Sequence, residues 1–77
     1  MRDTIIEILK RINEDVDFEN AGDFIEEGLL DSFDVVTLVE ELEEEFGIEI
    51  LGSDIVPVNF VNPEAIEELV QKYREED

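Results

Sequence analysis

Asp31-Ser32-Phe33-Asp34-Val35-Val36-Thr37-Leu38-Val39-Glu40-Glu41-Leu42-Glu43-Glu44-Glu45-Phe46-Gly47 is the stretch whose reading decides the fold. Val35, Leu38, Val39, Leu42 and Phe46 recur at the three- and four-residue spacing that puts them on one buried stripe of an α-helix. Asp31-Ser32 supplies a capping signal before a helix over 33–46, and Gly47 closes it as the C′ residue. Phe33 and Val36 fall outside the stripe. They share an adjoining face with Thr37, Glu40 and Glu44, so the surface beside Ser32 grades from an apolar spot into acids. Either Phe33 packs under the preceding chain or this face is a docking surface.

Working outward, Ile5, Ile6, Leu9 and Ile12 predict an amphipathic helix over residues 3 to about 13, with Asp3 as its N-cap. Between residues 15 and 30 the periodicity gives way to acids, Gly22 and Gly28, with Val16, Phe18, Phe24, Ile25, Leu29 and Leu30 scattered among them. This reads as a long loop pinned to the core by its apolar residues. Downstream, 48–51 is expected as an extended connector, because one short strand has nothing to pair with in so small a chain. The segment 53–60 has room for one short helical turn, limited by Pro57. Asn62-Pro63-Glu64 joins an N-cap, a proline at N1 and a first-turn acid, and Ile66, Leu69, Val70 and Tyr73 form the buried stripe of a last helix. The expected architecture is all-α, with three main helices, one short helix and a long first loop in a single domain over residues 1–77. An acidic tail, Glu75-Glu76-Asp77, is expected to fray.

The chain holds 24 Asp and Glu against 5 Lys and Arg, a formal net charge of −19. Binding nucleic acid requires a basic footprint, so nucleic acid is excluded as a partner. The regular spacing of the apolar residues, 43% of the chain, argues for a core rather than disorder. With no Cys and no His, disulfides, thiolate or imidazole metal sites, a cysteine nucleophile and a Ser-His dyad are all ruled out. Hydrolysis by paired carboxylates needs a deep pocket that so small a helical domain does not offer, and no catalytic residue or resident metal is expected. No apolar run approaches the roughly 20 residues of a membrane span, and no signal-peptide run opens the chain. The expectation is a cytoplasmic monomer that addresses basic surfaces on its partners.

The helix ends carry a second signal. Asp3 and Glu64 lie near N-termini, and Lys10, Arg11, Lys72 and Arg74 near C-termini, as the helix dipole favours. Glu43, Glu44 and Glu45 oppose it at the end of the second helix, at about 0.3 to 1 kcal/mol each when exposed. They are either a solvated face or the mark of a partner. Two other readings use the acids alone. Asp15, Asp17, Glu19, Asp23 and Glu26 follow the ligand spacing of a calcium-binding EF-hand loop, although Asn20 stands where that loop needs glycine and Gly28 interrupts its exiting helix. An acidic decoy that imitates nucleic acid is the other, and it has no use for Ser32.

Ser32 stands where serine is ordinarily a helix cap. The position also suits a phosphodiester, because free backbone N–H groups and the positive end of the dipole stabilise added negative charge. Asp31 opposes that charge, yet its carboxylate is placed to help hold Mg²⁺ while a phosphate is transferred. Gly28-Leu29-Leu30-Asp31-Ser32-Phe33-Asp34 resembles the attachment site of phosphopantetheine carrier proteins, where an Asp-Ser pair followed by an apolar residue opens the second helix. Leu38, Val39, Leu42 and Glu43-Glu44-Glu45-Phe46-Gly47-Ile48 resemble the second helix and exit of acyl carrier proteins, and Asn62-Pro63-Glu64-Ala65-Ile66 resembles the start of their last helix.

The resemblance implies a four-helix bundle of acyl-carrier type whose cofactor, 4′-phosphopantetheine, is attached covalently to Ser32. A phosphopantetheinyl transferase would deliver it from coenzyme A, with Asp31 assisting the metal ion. The arm's thiol would carry cargo as a thioester, loaded by an acyl- or aminoacyl-specific ligase or transferase. Downstream enzymes with basic surfaces would dock on Phe33, Val36, Glu40 and Glu44. Fatty-acid carriers usually have a small residue before the Asp-Ser pair and an apolar one, often Met, where this chain has Glu40. Leu30 and Glu40 depart from that pattern, and Gly28-Leu29-Leu30-Asp31-Ser32 is similar to stand-alone D-alanyl and other aminoacyl carriers. The cargo therefore stays open between acyl groups of fatty-acid, specialised lipid or secondary metabolism and aminoacyl groups of cell-wall or peptide-type pathways.

A fold so charged is predicted to gain stability as salt screens its self-repulsion. Raising ionic strength from about 10 mM to about 150 mM should raise Tm in circular-dichroism melts, and an unchanged Tm would contradict this.

Overall fold

The computed structural model describes the backbone of residues 1–75 and the side chains of 1–74. Three α-helices, α1 (Arg2–Ile12), α2 (Ser32–Phe46) and α3 (Pro63–Glu75), are joined by a long first loop and by a second connection containing the 3₁₀ turns Gly52–Asp54 and Pro57–Phe60. No strand occurs among the described residues, and no helix there is long and apolar enough to cross a membrane. The all-α bundle expected from the periodicity is the observed fold. Of the acidic tail, Glu75 ends α3, while Glu76 and Asp77 lie outside the described residues.

One core unites the elements. Ile5, Ile6, Ile8 and Leu9 of α1 meet Leu38, Val39 and Leu42 of α2 and Ile66, Leu69 and Val70 of α3. Val35 and Phe46 of the α2 stripe, with Ile12 and Tyr73, pack at its margin. Ile8 lies outside the set read from the sequence and is fully buried, because α1 packs against both α2 and α3 and so buries a wider arc than one stripe. No charged or polar residue is buried among those described.

The loop after α1 is pinned as expected. Phe18 and Phe24 are fully buried and meet edge to face, with ring centroids 5.0 Å apart. The Phe24 N–H donates to the Val61 carbonyl at 2.7 Å, and the Phe24 carbonyl accepts from the N–H groups of Leu29 at 2.8 Å and Leu30 at 3.2 Å. Each buried phenylalanine contributes about 2 to 3 kcal/mol of transfer free energy, which holds a segment without regular structure in place. The acids of this loop shape turns: Asp17 accepts from the Asn20 amide at 2.8 Å, and Asp23 accepts from the N–H groups of Ile25 and Glu26 at 2.9 Å each. Among the described residues no three acids gather in a metal-binding arrangement.

Three boundaries differ from the expectation. Helix α1 starts at Arg2 because the Ile5 N–H already bonds the Met1 carbonyl; Met1 is the N-cap without a side-chain bond, and Asp3 lies inside the first turn. Helix α2 starts at Ser32 rather than Phe33. The single turn expected over 53–60 is two 3₁₀ turns, since Pro57 has no N–H to continue a helix and opens the second turn from an extended Val56. The C-terminus of α2 and the start of α3 are as read. Gly47 takes the left-handed conformation at φ 64°, and Asn62 caps α3 by accepting from the Ala65 N–H at 2.7 Å.

The second connection is tied down by side chains. Glu43 accepts from the Ile50 N–H at 2.9 Å, so one of the three acids at the end of α2 has a structural task. The Tyr73 hydroxyl accepts from the Leu51 N–H at 3.1 Å and donates to the Asp54 carboxylate, which also accepts from Lys72 at 2.9 Å. The Tyr73 hydroxyl, then Lys72, holds the Asp54 carboxyl below its ordinary 3.8, and the Asp54 carboxylate raises the Tyr73 phenol above its ordinary 10.0. The Asp54 contribution is present above about 3.8 and fades as pH falls through its lowered value. The Tyr73 contribution is present below 10.0 and fades as pH rises through its raised value. Tyr73→Phe should therefore lower Tm by about 3 to 6 °C near neutral pH, and the deficit should narrow at both extremes in melts run across pH.

Candidate functional site

The entry to α2 is a reciprocal capping box. Asp31, in an extended conformation at φ −95° and ψ −178°, accepts the Asp34 N–H at 2.8 Å, and the Asp34 carboxylate accepts the Asp31 N–H at 3.3 Å. The Asp31 carbonyl takes the Val35 N–H at 3.0 Å. Asp31 is thus the N-cap and Ser32 is N1, the first helical residue. Ser32 is exposed, and its hydroxyl makes no hydrogen bond among the described residues. The N–H groups of Ser32 and Phe33 lie in the first turn, where a helix leaves its donors without internal acceptors. Just upstream, Leu30 is buried and its N–H is bonded to Phe24, so Ser32 stands at the end of an anchored segment.

The sequence marks Asp31-Ser32 as the capping signal of α2 but does not divide the roles between them. The signal for it was present: Asp31 and Asp34 have the N-cap/N3 spacing of a capping box, with Asp in place of the usual Glu.

The outward face of α2 follows. Phe33 is 77% exposed and Val36 53%. Phe33 does not pack under the preceding loop, whose own Phe24 and Leu30 are buried in the core. Glu40 and Glu44 continue the same face and are exposed, while Thr37 donates its hydroxyl to the Phe33 carbonyl at 3.2 Å. The remaining acids diverge: Glu41 pairs with Arg11 of α1 at 3.5 Å, Glu43 points to the connector, and Glu45 is exposed. A second set of exposed apolar residues that the sequence did not single out, Leu51, Val56 and Val58, lies on the connection between α2 and α3.

A phosphodiester-linked arm needs an exposed hydroxyl not consumed by capping, near free N–H donors and the positive end of a helix. Ser32 meets these conditions. The sequence model of the family described as "Phosphopantetheine attachment site" matches residues 1–70, and the chain belongs to that family. It is therefore of the class that carries covalently attached 4′-phosphopantetheine, is modified by phosphopantetheinyl transferases and interacts with other enzymes. No curated protein and no solved structure matches the chain.

The separation of face and core has a measurable consequence. Phe33→Ser should change unfolding free energy in urea by no more than about 0.5 kcal/mol, whereas Phe24→Ala should cost about 3 to 5 kcal/mol.

Proposed function

We propose that Ser32 is the residue to which phosphopantetheine is attached and that residues 1–77 act as a single carrier domain with no catalysis of its own. The observation that carries this reading is the capping box of Asp31 and Asp34, which leaves the Ser32 hydroxyl exposed and unbonded at the N-terminus of α2. First-turn N–H groups offset the charge of a phosphodiester there. Asp31 uses Oδ1 as the cap, which leaves Oδ2 to help hold the metal ion of a phosphopantetheinyl transferase. When attached, the arm supplies the terminal thiol that this cysteine-free chain lacks and holds cargo as a thioester. Phe33 and Val36 form the apolar centre of a docking face, and Glu40 and Glu44 its acidic extension toward basic partner surfaces. Tethering raises the effective concentration of cargo at each partner's active site.

The carrier reading extends to a cytoplasmic monomer serving a specialised acyl pathway rather than primary fatty-acid synthesis. Leu30 and Glu40 support that choice: Leu30 fills the core immediately before the Asp-Ser pair, and Glu40 places a charge on the face where fatty-acid carriers present an apolar residue. The same residues favour, as the second reading, a carrier of D-alanyl or another aminoacyl group.

Intact mass before and after incubation with coenzyme A, Mg²⁺ and a broad-specificity phosphopantetheinyl transferase tests the assignment. A gain of about 340 Da is expected for the native chain and none for Ser32→Ala, whose fold should be retained. No gain under conditions that load a known carrier would overturn it. Offering the loaded protein to a D-alanine-activating ligase and to an acyl ligase then separates the two cargo classes.

A further inference from the structure

Asp31 and Ser32 are both competent N-caps, so the start of α2 has two possible registers. With Asp31 as cap the N3 residue is Asp34; with Ser32 as cap it is Val35. Only Asp34 has a side chain able to return a hydrogen bond to the cap's own N–H and complete a capping box. The structure adopts that register, with both bonds formed. In the alternative, the Ser32 hydroxyl would accept the Val35 N–H, which here goes to the Asp31 carbonyl at 3.0 Å. The hydroxyl's lone pair and rotamer would then be committed to the helix.

We propose that Asp34 is a positioning residue for phosphopantetheine transfer: by completing the box with Asp31 it holds α2 in the register that keeps the Ser32 hydroxyl out of helix capping. The inference rests on Ser32 being the attachment residue. In the transfer, the Ser32 Oγ–P bond forms as the pyrophosphate P–O bond of coenzyme A breaks, adenosine 3′,5′-bisphosphate leaves, and the hydroxyl proton passes to a base of the transferase. A hydroxyl already accepting a helix N–H is a poorer nucleophile and is aimed along the helix axis rather than outward.

The test compares Asp34→Ala, Asp34→Asn and Asp34→Glu with the native chain. Loading is followed by intact mass at varied protein concentration, and the position of the N-cap is read from the backbone and Cβ chemical shifts of residues 31 and 32. Asp34→Ala should move the N-cap signature toward Ser32 and lower kcat about fivefold, the population shift that one helix cap controls, with KM changed less than about twofold. Asn and Glu keep an acceptor at this position and should restore both readouts. Native loading by Asp34→Ala, or an N-cap signature that stays on Asp31, would overturn the proposal. So would an Asn variant as impaired as Ala with the loss in KM, which would mark Asp34 as a charge contact for the transferase. A native chain that gains no mass, or a Ser32→Ala chain that does, brings down the Ser32 assignment and this proposal together, and is distinguished because it shows without any change at Asp34.

Discussion

Phe24 is bonded through its backbone in two directions while its ring is fully buried against Phe18. Its N–H reaches forward to Val61, just before α3, and its carbonyl collects the N–H groups of Leu29 and Leu30, just before α2. The entries to two helices are thereby fixed to one point of an otherwise irregular loop. A chain of 77 residues has a limited core with which to offset the ordering of such a loop, and these aromatic and aliphatic anchors supply much of what the loop contributes. The placement of Ser32 depends on this arrangement, because the residue before the Asp-Ser pair is itself a core residue.

Charge is arranged around that core rather than within it. All five cations belong to α1 or α3, and from Ile12 to Gln71 there is none. Arg2 bonds Glu67, Arg11 pairs with Glu41, and Lys72 bonds Asp54, while the Arg74 guanidinium lies 5.8 Å from the centre of the Phe46 ring. Four of the five cations are thus engaged in contacts between elements, and the exposed acids of α2 and of the first loop are left to project a negative field. Such a field costs the compact state some self-repulsion and quickens encounter with a basic partner.

The three helices and most of the core could be read from periodicity alone, since burying a stripe is a property of many residues and tolerates an error of one position. The features that needed the structure each turn on a single residue or a single bond. Asp3 looked like a cap, but the ladder begins at Met1. Glu43 looked like a charge at the wrong helix end, but its partner is the Ile50 N–H, seven residues on and outside any repeating pattern. The exposure of Phe33 was undecided in sequence because it depends on how the irregular loop before α2 folds, which no periodicity encodes. The division of roles between Asp31 and Ser32 is a one-residue choice of register, which two adjacent cap-forming residues leave open to hydrophobic pattern and which the structure shows with Asp31 as the cap.

The connection between α2 and α3 behaves differently from what its lack of regular structure suggests. The amide hydrogens of Ile50 and Leu51 belong to no helix, yet one is held by Glu43 of α2 and the other by Tyr73 of α3. Releasing either requires the connector to part from a helix, and the two attachment points are adjacent residues. One bond from α2 and one from α3 thus converge on neighbouring residues of the connector. A loss of either side chain would therefore loosen the same short segment that the other helix also holds.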